Sequence, residues 1–356
     1  MPKPNMNCGD HYIDFRSDTV TLPTDEMLDA MRNAKVGDDV YEDDPTTKEL
    51  EEIAADLVGK EASLFVPSGT FGNQLAILTH TKRGDEVIIP KDNHIVIHEV
   101  GASAVIAGVQ LRTIGSNFGQ INIDELESTI REYNIHYPDT GLICTENAHS
   151  SGKVVPLENL KAVQDVALRK GIPVHLDGAR IFNAAIASKT NAKDIALTAD
   201  SVMFCLSKGL CSPIGSILAG SKDFILKARK NRKLMGGGLR QSGYLAACGI
   251  ISIRKMIGRL KEDHDNAKYL AEKLDLIGGI KVFKDVLDIN MVFFDIDNMS
   301  FNNFNEDKFI NYMFSKKIKI NPKELGLYRF VTHYWISKKD IDYTVEAIKE
   351  YFDSQL

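Results

Sequence analysis

Short apolar runs alternate with longer amphipathic segments through the first 250 residues of the chain. The runs ASLFVPS, DEVIIPK, TGLICTEN, IPVHLDGA, DSVMFCLS and GSILAGS have the length and unbroken apolar character of strands buried on both faces. Between them, TTKELEEIAADLVG, TFGNQLAILTHT and LENLKAVQDVALRKG carry helical periodicity. Gly171 after VALRK reads as a helix C-cap, and Pro173 opens the strand that follows. This alternation predicts an α/β fold with a mostly parallel central sheet covered on both faces, and ligands gather at the carboxyl ends of such strands.

From about Gln241 the pattern changes. A long helical stretch, GYLAACGIISIRKMIGRLKEDHDNAKYLAEKL, precedes strand-like KVFKD, NMVFFDID and KIKI. The apolar-aromatic YRFVTHYWIS and a terminal helix, DIDYTVEAIKEYF, close the chain. This α+β pattern predicts a division into residues 1–250, an N-terminal segment plus a large domain, and 251–356, a small C-terminal domain. A helix crosses that boundary.

Composition narrows the function classes. A chain of 356 residues, 44% hydrophobic and 26% charged, is ordinary for a two-domain soluble subunit. The formal net charge of −6 argues against a general nucleic-acid binder but leaves room for a small anionic ligand. The five cysteines (Cys8, Cys144, Cys205, Cys211 and Cys248) include no CxxC pair, which argues against a disulfide framework or zinc knuckle and for a reducing compartment. The start, MPKPNMNCGDHYIDF, lacks the apolar core of a signal peptide, and no apolar run approaches the roughly 20 residues of a membrane helix. Cytoplasm is the expected location.

Four segments put polar residues where a ligand of such a fold would lie. Ser68-Gly69-Thr70 follows a strand and opens a helix; it is either a phosphate cup of backbone N–H groups and hydroxyls or an ordinary helix cap. Asp177 ends the strand VHLD before Gly-Ala-Arg, as a partner for a protonated ring nitrogen or as a turn residue. Arg180 then holds that Asp, a substrate carboxylate or only the turn. Lys208 directly follows a buried-type strand, as an imine-forming amine or as a surface lysine. RKNRKLMGGGLRQ sets Arg229, Arg232, Lys233 and Arg240 around three glycines, a mobile basic loop able to reach a phosphate or merely a solvated one. It lacks the GK[ST] ending of a P-loop.

The order is informative: phosphate cup, then Asp, then Lys about thirty residues on. Lysine, carboxylate and phosphate site are together the parts that a pyridoxal 5′-phosphate (PLP) enzyme needs. His94, between cup and Asp, supplies an aromatic plane for the cofactor or serves structurally. A helical His94/His98 pair could instead hold a metal, although the sequence shows no clear third ligand.

FRSDTVTLPT, GDDVYEDDPT, PSGTFGNQ, HIVIHE, CTENAH, VHLDGARIFNA, LSKGLCSPIGS, RKLMGGGLRQ and RFVTH occur in this order across residues 15 to 333. With them the chain resembles the threonine aldolases of the aspartate-aminotransferase-like (PLP fold type I) superfamily. The resemblance implies cleavage of L-threonine or L-allo-threonine to glycine and acetaldehyde through a Schiff base on Lys208. It assigns Asp177 to the pyridine nitrogen and His94 to the ring face. Ser68, Gly69 and Thr70 would hold the phosphate, helped by Lys233 and Arg240 from a neighbouring subunit. Ser17, Arg180 and Arg329 would hold the substrate carboxylate, His149 would sit near the substrate hydroxyl, and Tyr41 would reach a partner's site. The family implies a homotetramer built from dimers with shared sites. Either His149 or His94 is the base for the β-hydroxyl.

The chain departs from the family pattern at Glu42, where glycine is common after the tyrosine, and at Val96, His98, Ala148, Ser150 and Ser151. These departures bear on β-carbon stereopreference and aldehyde size. The alternatives are β-elimination on the same scaffold, a metal-dependent aldolase using His94 and His98, and a degenerate binding relative.

Overall fold

The computed structural model describes residues 12–297 and 304–353; Cys8 lies outside the described residues. After a short strand β1 (Ile13–Asp14) the chain builds β2 (Ala62–Val66), β3 (Glu86–Pro90), β4 (Gln110–Ile114), β5 (Thr140–Glu146), β6 (Val174–Asp177), β7 (Ser201–Cys205) and β8 (Ser216–Gly220). β2 to β8 form one sheet in the order β2-β8-β7-β6-β5-β3-β4. Only β8 runs antiparallel, against both β2 and β7; β7-β6-β5-β3-β4 are parallel throughout. All six strands read from the first 250 residues are present. β4 escaped notice because it lies at the sheet edge and mixes exposed and half-buried residues, with only Ile114 buried, rather than forming an apolar run.

Leu64, Phe65, Val66, Val87, Ile88, Ile89, Leu142 and Ile143 are completely buried. Each such side chain is worth about 1.5–3 kcal/mol of transfer from water, so these runs fix the strands in the middle of the molecule. Helices α1 (Pro45–Val58), α2 (Gly69–His80) and α3 (Leu157–Lys170) cover the sheet. The N–H of Gly171, at φ 66°, caps carbonyls of α3, the left-handed position that favours glycine at a helix end.

The basic segment is not a mobile loop over its first half. Helix α4 (Lys222–Leu234) contains Arg229, Arg232 and Lys233. Arg232 is buried, bonding the Phe65 carbonyl at 2.7 Å and the Asp39 carboxylate. Arg229 pairs with Glu51 at 2.8 Å. Two of the four cations therefore serve structural ion pairs. Burial had a local reason to be overlooked: long charged side chains ordinarily pack their stems and keep their heads in water, so a buried guanidinium is not expected from sequence.

A second sheet, β9 (Ile280–Val282), β10 (Met291–Ile296) and β12 (Tyr328–Val331), is antiparallel. With α5 (Leu260–Asp275) and α6 (Lys338–Asp353) it encloses a separate core around Phe294, Phe309, Tyr328 and Phe330. β1 pairs in parallel with β11 (Ile318–Lys319), and Phe15 is buried in that second core. Residues Ile13–Phe15 thus pack with the C-terminal layer, and the segment then crosses to the large domain, where Asp18 meets Arg180 and Met27 enters the large core. In the other direction, Ile250, Ile253, Met256 and Leu260 belong to the large core, and the second begins at Ala267. The packing changes over along the crossing helix, some ten residues beyond position 250. No helix among the described residues is long and apolar enough to cross a membrane.

Candidate active site

The parallel strands β5, β6 and β7 end side by side at Glu146, Asp177 and Cys205, and each hands a functional group to the same sheet edge. Asp177 is buried, with one oxygen accepting from the Ala179 N–H at 3.0 Å and the other from the Asn73 amide at 2.7 Å. The N–H of Gly178 is tied to the Met203 carbonyl at 2.8 Å, so the turn after Asp177 is fixed against the strand that leads to Lys208. Lys208 lies three residues beyond β7. Its carbonyl accepts from the Thr21 hydroxyl at 2.8 Å, while its ammonium makes no hydrogen bond or close ion pair among the described residues. Its charge is felt at both His94 and Asp18.

Ser68 caps α2, its hydroxyl accepting from the Phe71 N–H at 3.2 Å. That is the capping role weighed for it, and it leaves the N–H groups of Gly69 and Thr70 at the helix start without intrahelical partners. A Cβ on Gly69 would stand 2.9 Å from the Cys205 sulfur, so only glycine brings this helix start so close to β7. The arrangement suits an anion.

His94 opens a single turn of helix, His94–Ile97. Its backbone N–H donates to Glu146 at 2.7 Å, and its ring Nδ1 lies 3.0 Å from Glu99. Burial pulls the imidazole pKa down, but the Glu99 bond and the Asp177 and Glu99 charges outweigh it, and the result lies above the ordinary value. Glu146 is buried, which raises its pKa, and it also accepts from the Ser150 N–H at 2.7 Å. His149 is 3% exposed. The Ser151 N–H donates to its Nδ1 at 3.2 Å, with the Ser151 hydroxyl 2.8 Å away; Nε2 is buried without a hydrogen bond, 3.7 Å from Asp92. The unusual Ser150 and Ser151 thus fasten Glu146 and His149.

Arg180 does not hold Asp177. It grips Asp18 through two bonds, Nε at 2.8 Å and a terminal nitrogen at 2.6 Å. Burial alone would raise the Asp18 pKa, yet the Arg180 contacts and the Lys208 charge hold it well below the carboxylate range. Ser17, beside it, caps a short turn through the Thr19 N–H at 3.2 Å. Arg329 on β12 is partly buried and makes no hydrogen bond or close ion pair among the described residues. Burial and the adjacent Arg180 charge lower its pKa. An anion entering here would relieve an unbalanced cation.

Three residues lie apart from this cluster within the subunit. Tyr41 is 77% exposed. Lys233 is exposed at the end of α4, and Arg240 pairs with Asp38 at 2.9 Å on the surface. His98 stacks loosely beside His94, ring centres 5.3 Å apart, and faces Glu324 at 3.7 Å. The cluster with metal-ligand chemistry is His94, Glu99 and Asp177, whose ligand atoms lie within 4.8 Å of one another, and His98 is not part of it. The Asn73 amide donates to both carboxylates, supplying by hydrogen bonds what a cation would supply.

Sequence reading missed Asp18, Asn73, Glu99 and Glu146. A carboxylate three residues before the His149 motif, in TEN, is the one signal that points to Glu146 in retrospect. The others are brought in from distant segments with no local mark.

Residues 14–297 match the family model described as beta-eliminating lyase. The low specificity L-threonine aldolase of Escherichia coli K12 is 42% identical over 332 residues, covering 92% of this chain and 96% of that one. Low-specificity L-threonine aldolase 1 of Arabidopsis thaliana is 40% identical over 353 residues, 95% and 96% of the two chains. Among solved structures, a threonine aldolase of Leishmania major matches with a TM-score of 0.79 at 19% identity, covering 96% of this chain and 99% of that one, which shows a shared fold.

Proposed function

Because the chain belongs to the beta-eliminating lyase family and, within it, to the low-specificity L-threonine aldolases, we propose that it is a PLP-dependent lyase cleaving L-threonine and L-allo-threonine to glycine and acetaldehyde. The observation that carries this reading is the pairing of an unpartnered lysine amine with a doubly hydrogen-bonded buried carboxylate at the ends of neighbouring strands. The residues fit the cofactor. Lys208 would hold its aldehyde carbon covalently, Asp177 its ring nitrogen, His94 its ring face, and Ser68, Gly69 and Thr70 its phosphate. When bound, PLP supplies an electron sink for the pair released as a bond at the substrate Cα breaks.

The chain's own groups do the rest. Arg329, with Ser17 and the Arg180–Asp18 pair behind it, binds the substrate carboxylate by charge-assisted hydrogen bonds. That fixes rotation about N–Cα and so selects the Cα–Cβ bond for cleavage. The two histidines divide by tautomer. Glu99 accepts from Nδ1 of His94, so neutral His94 keeps its lone pair on Nε2 and can accept the β-hydroxyl proton. Ser151 donates to Nδ1 of His149, so neutral His149 carries its proton on Nε2 and is a donor toward the departing oxygen.

Tyr41, Lys233 and Arg240 complete sites across a homotetramer in this proposal, which their exposure supports. The compartment proposed is the cytoplasm. The test is a visible spectrum of the purified protein, then addition of L-threonine and L-allo-threonine with assay of aldehyde and glycine. Ammonia and keto acid in their place would indicate β-elimination. Inhibition by a chelator but not by hydroxylamine would indicate a metal aldolase at His94, Glu99 and Asp177.

A further inference from the structure

Asn73 and His80 are seven residues apart on α2, two helical turns, so they face the sheet together. The gap between them is bridged by two strand residues that stand opposite each other, His175 on β6 and Ser201 on β7. His80 Nε2 lies 2.8 Å from the Ser201 hydroxyl, which lies 2.9 Å from His175 Nδ1. His175 Nε2 lies 3.1 Å from the Asn73 carbonyl oxygen. The Asn73 nitrogen then donates to Asp177 at 2.7 Å and to Glu99 at 2.9 Å. His175 and Ser201 are completely buried, and Asn73 is nearly so.

The donors along this chain can point only one way. The Asn73 oxygen cannot donate, so His175 must carry its proton on Nε2. A neutral His175 then accepts at Nδ1, the Ser201 hydroxyl must donate to it, and the same hydroxyl accepts from His80 Nε2–H. Burial keeps both rings neutral, pushing His175 down to about 3 and His80 to about 4. Asn73 is held from both sides, with the His175 Nε2–H on its oxygen and the two carboxylates on its nitrogen. Turned over, its oxygen would face two carboxylates at hydrogen-bond distance, a buried repulsion.

We infer that His175 is a positioning residue: through Asn73 it holds one N–H donor on each of Asp177 and Glu99, so that the Asp177 carboxylate stays aligned on the cofactor's ring nitrogen and keeps it protonated. The inference rests on the proposed role of Asp177 as partner of that nitrogen. His175 itself touches neither cofactor nor substrate in this reading. Its ring fills the space behind the site, and its one polar contact toward the site is the Asn73 oxygen.

The experiment reads the ring nitrogen directly. The holoenzyme is loaded with PLP carrying 15N in the ring, and its nitrogen resonance is recorded near neutral pH. Asp177→Asn is the control and should move the signal from the protonated to the unprotonated position. His175→Phe, which keeps the ring volume and loses both nitrogens, should move it the same way. His175→Gln, which keeps a donor near the Nε2 position, should restore it. If Asp177→Asn shifts the signal and His175→Phe leaves it at the wild-type position, the inference is overturned while the Asp177 assignment stands. If Asp177→Asn itself leaves the signal unmoved, the Asp177 assignment fails and the inference with it. Should His175→Phe not fold, Asn73→Leu probes the same link, and an unmoved resonance there overturns the inference equally.

Discussion

The ring of His94 meets Glu99 at 3.0 Å through Nδ1, in a site where Glu99 is buried and held by two side-chain amides. Such a pair resembles the orienting carboxylate of a hydrolase triad: it fixes the tautomer and raises the basicity of the far nitrogen. Since the His94 pKa lies above its ordinary value, the imidazole gains its proton as pH falls through that raised pKa, and the base is lost. Cleavage by the wild type should therefore fall on an acid limb above the ordinary histidine value of about 6.5. Glu99→Gln removes that carboxylate's bond and charge and leaves Asp177 alone to oppose burial and Lys208, which pull the pKa down. Its limb should move to lower pH and its maximal rate should drop. A kcat–pH profile for the two proteins checks this; an unmoved limb removes His94 as base.

His149 offers a donor, not a lone pair, at Nε2. His149→Asn should slow cleavage by about 100-fold or more, in the range of one lost transition-state hydrogen bond, with little change in the PLP concentration needed for half saturation. Unchanged turnover in a single-turnover assay would place His149 outside the chemistry.

Arg329 carries the one unbalanced guanidinium of this cluster among the described residues. Replacing it with Gln should cost about 1.5–3 kcal/mol of carboxylate recognition, a loss of roughly 10- to 150-fold in kcat/KM for L-threonine. Arg180→Gln is expected to behave differently: it strands Asp18 in the interior and should lower Tm as well as activity. Steady-state kinetics and thermal melts separate the two.

What the sequence announced and what it hid divide along one physical line. Asp177 and Lys208 were legible because a polar residue closing a buried apolar run stands out against its own neighbours. So were the six strands and the α3 cap at Gly171. Asp18 and Arg180 lie 162 residues apart in sequence, and Asn73 and Asp177 lie 104 apart. Their pairing depends on the chain crossing back over the sheet, which no local pattern encodes. Arg232 was misread for the opposite reason. Four arginines and lysines around a triple glycine look like a loop, but helix formation through Leu234 turns Arg232 inward onto Asp39.

Glu42 occupies a left-handed conformation, φ 57° and ψ 38°, where the family commonly has glycine. An L-residue pays about 1–2 kcal/mol there, partly offset by the greater unfolded-state entropy of glycine. The Glu42 ion pair with Arg229 at 3.4 Å is largely exposed and adds little. Glu42→Gly should stabilise the protein by about 0.5–1 kcal/mol, read as a higher urea midpoint at unchanged m-value. A lower midpoint would contradict the conformational argument.

Burial lowers the pKa of His175 to about 3 and those of His80 and His264 to about 4. Each stays neutral in the folded chain while the unfolded chain takes up a proton below about 6.5. Stability should thus be lost as pH falls from there toward 4, at up to about 1.4 kcal/mol per pH unit for each histidine. Urea unfolding at several pH values measures the slope. His80→Gln should flatten it; an identical slope would mean that His80 titrates normally in the folded protein.

The central claim concerns the amine of Lys208. Borohydride reduction of the protein loaded with PLP, followed by proteolysis and mass spectrometry, locates the covalently held cofactor. A phosphopyridoxyl mass on the peptide containing Ser207-Lys208-Gly209, absent from Lys208→Ala, is the predicted result. A label on another lysine, or an undiminished label in Lys208→Ala, would contradict the account.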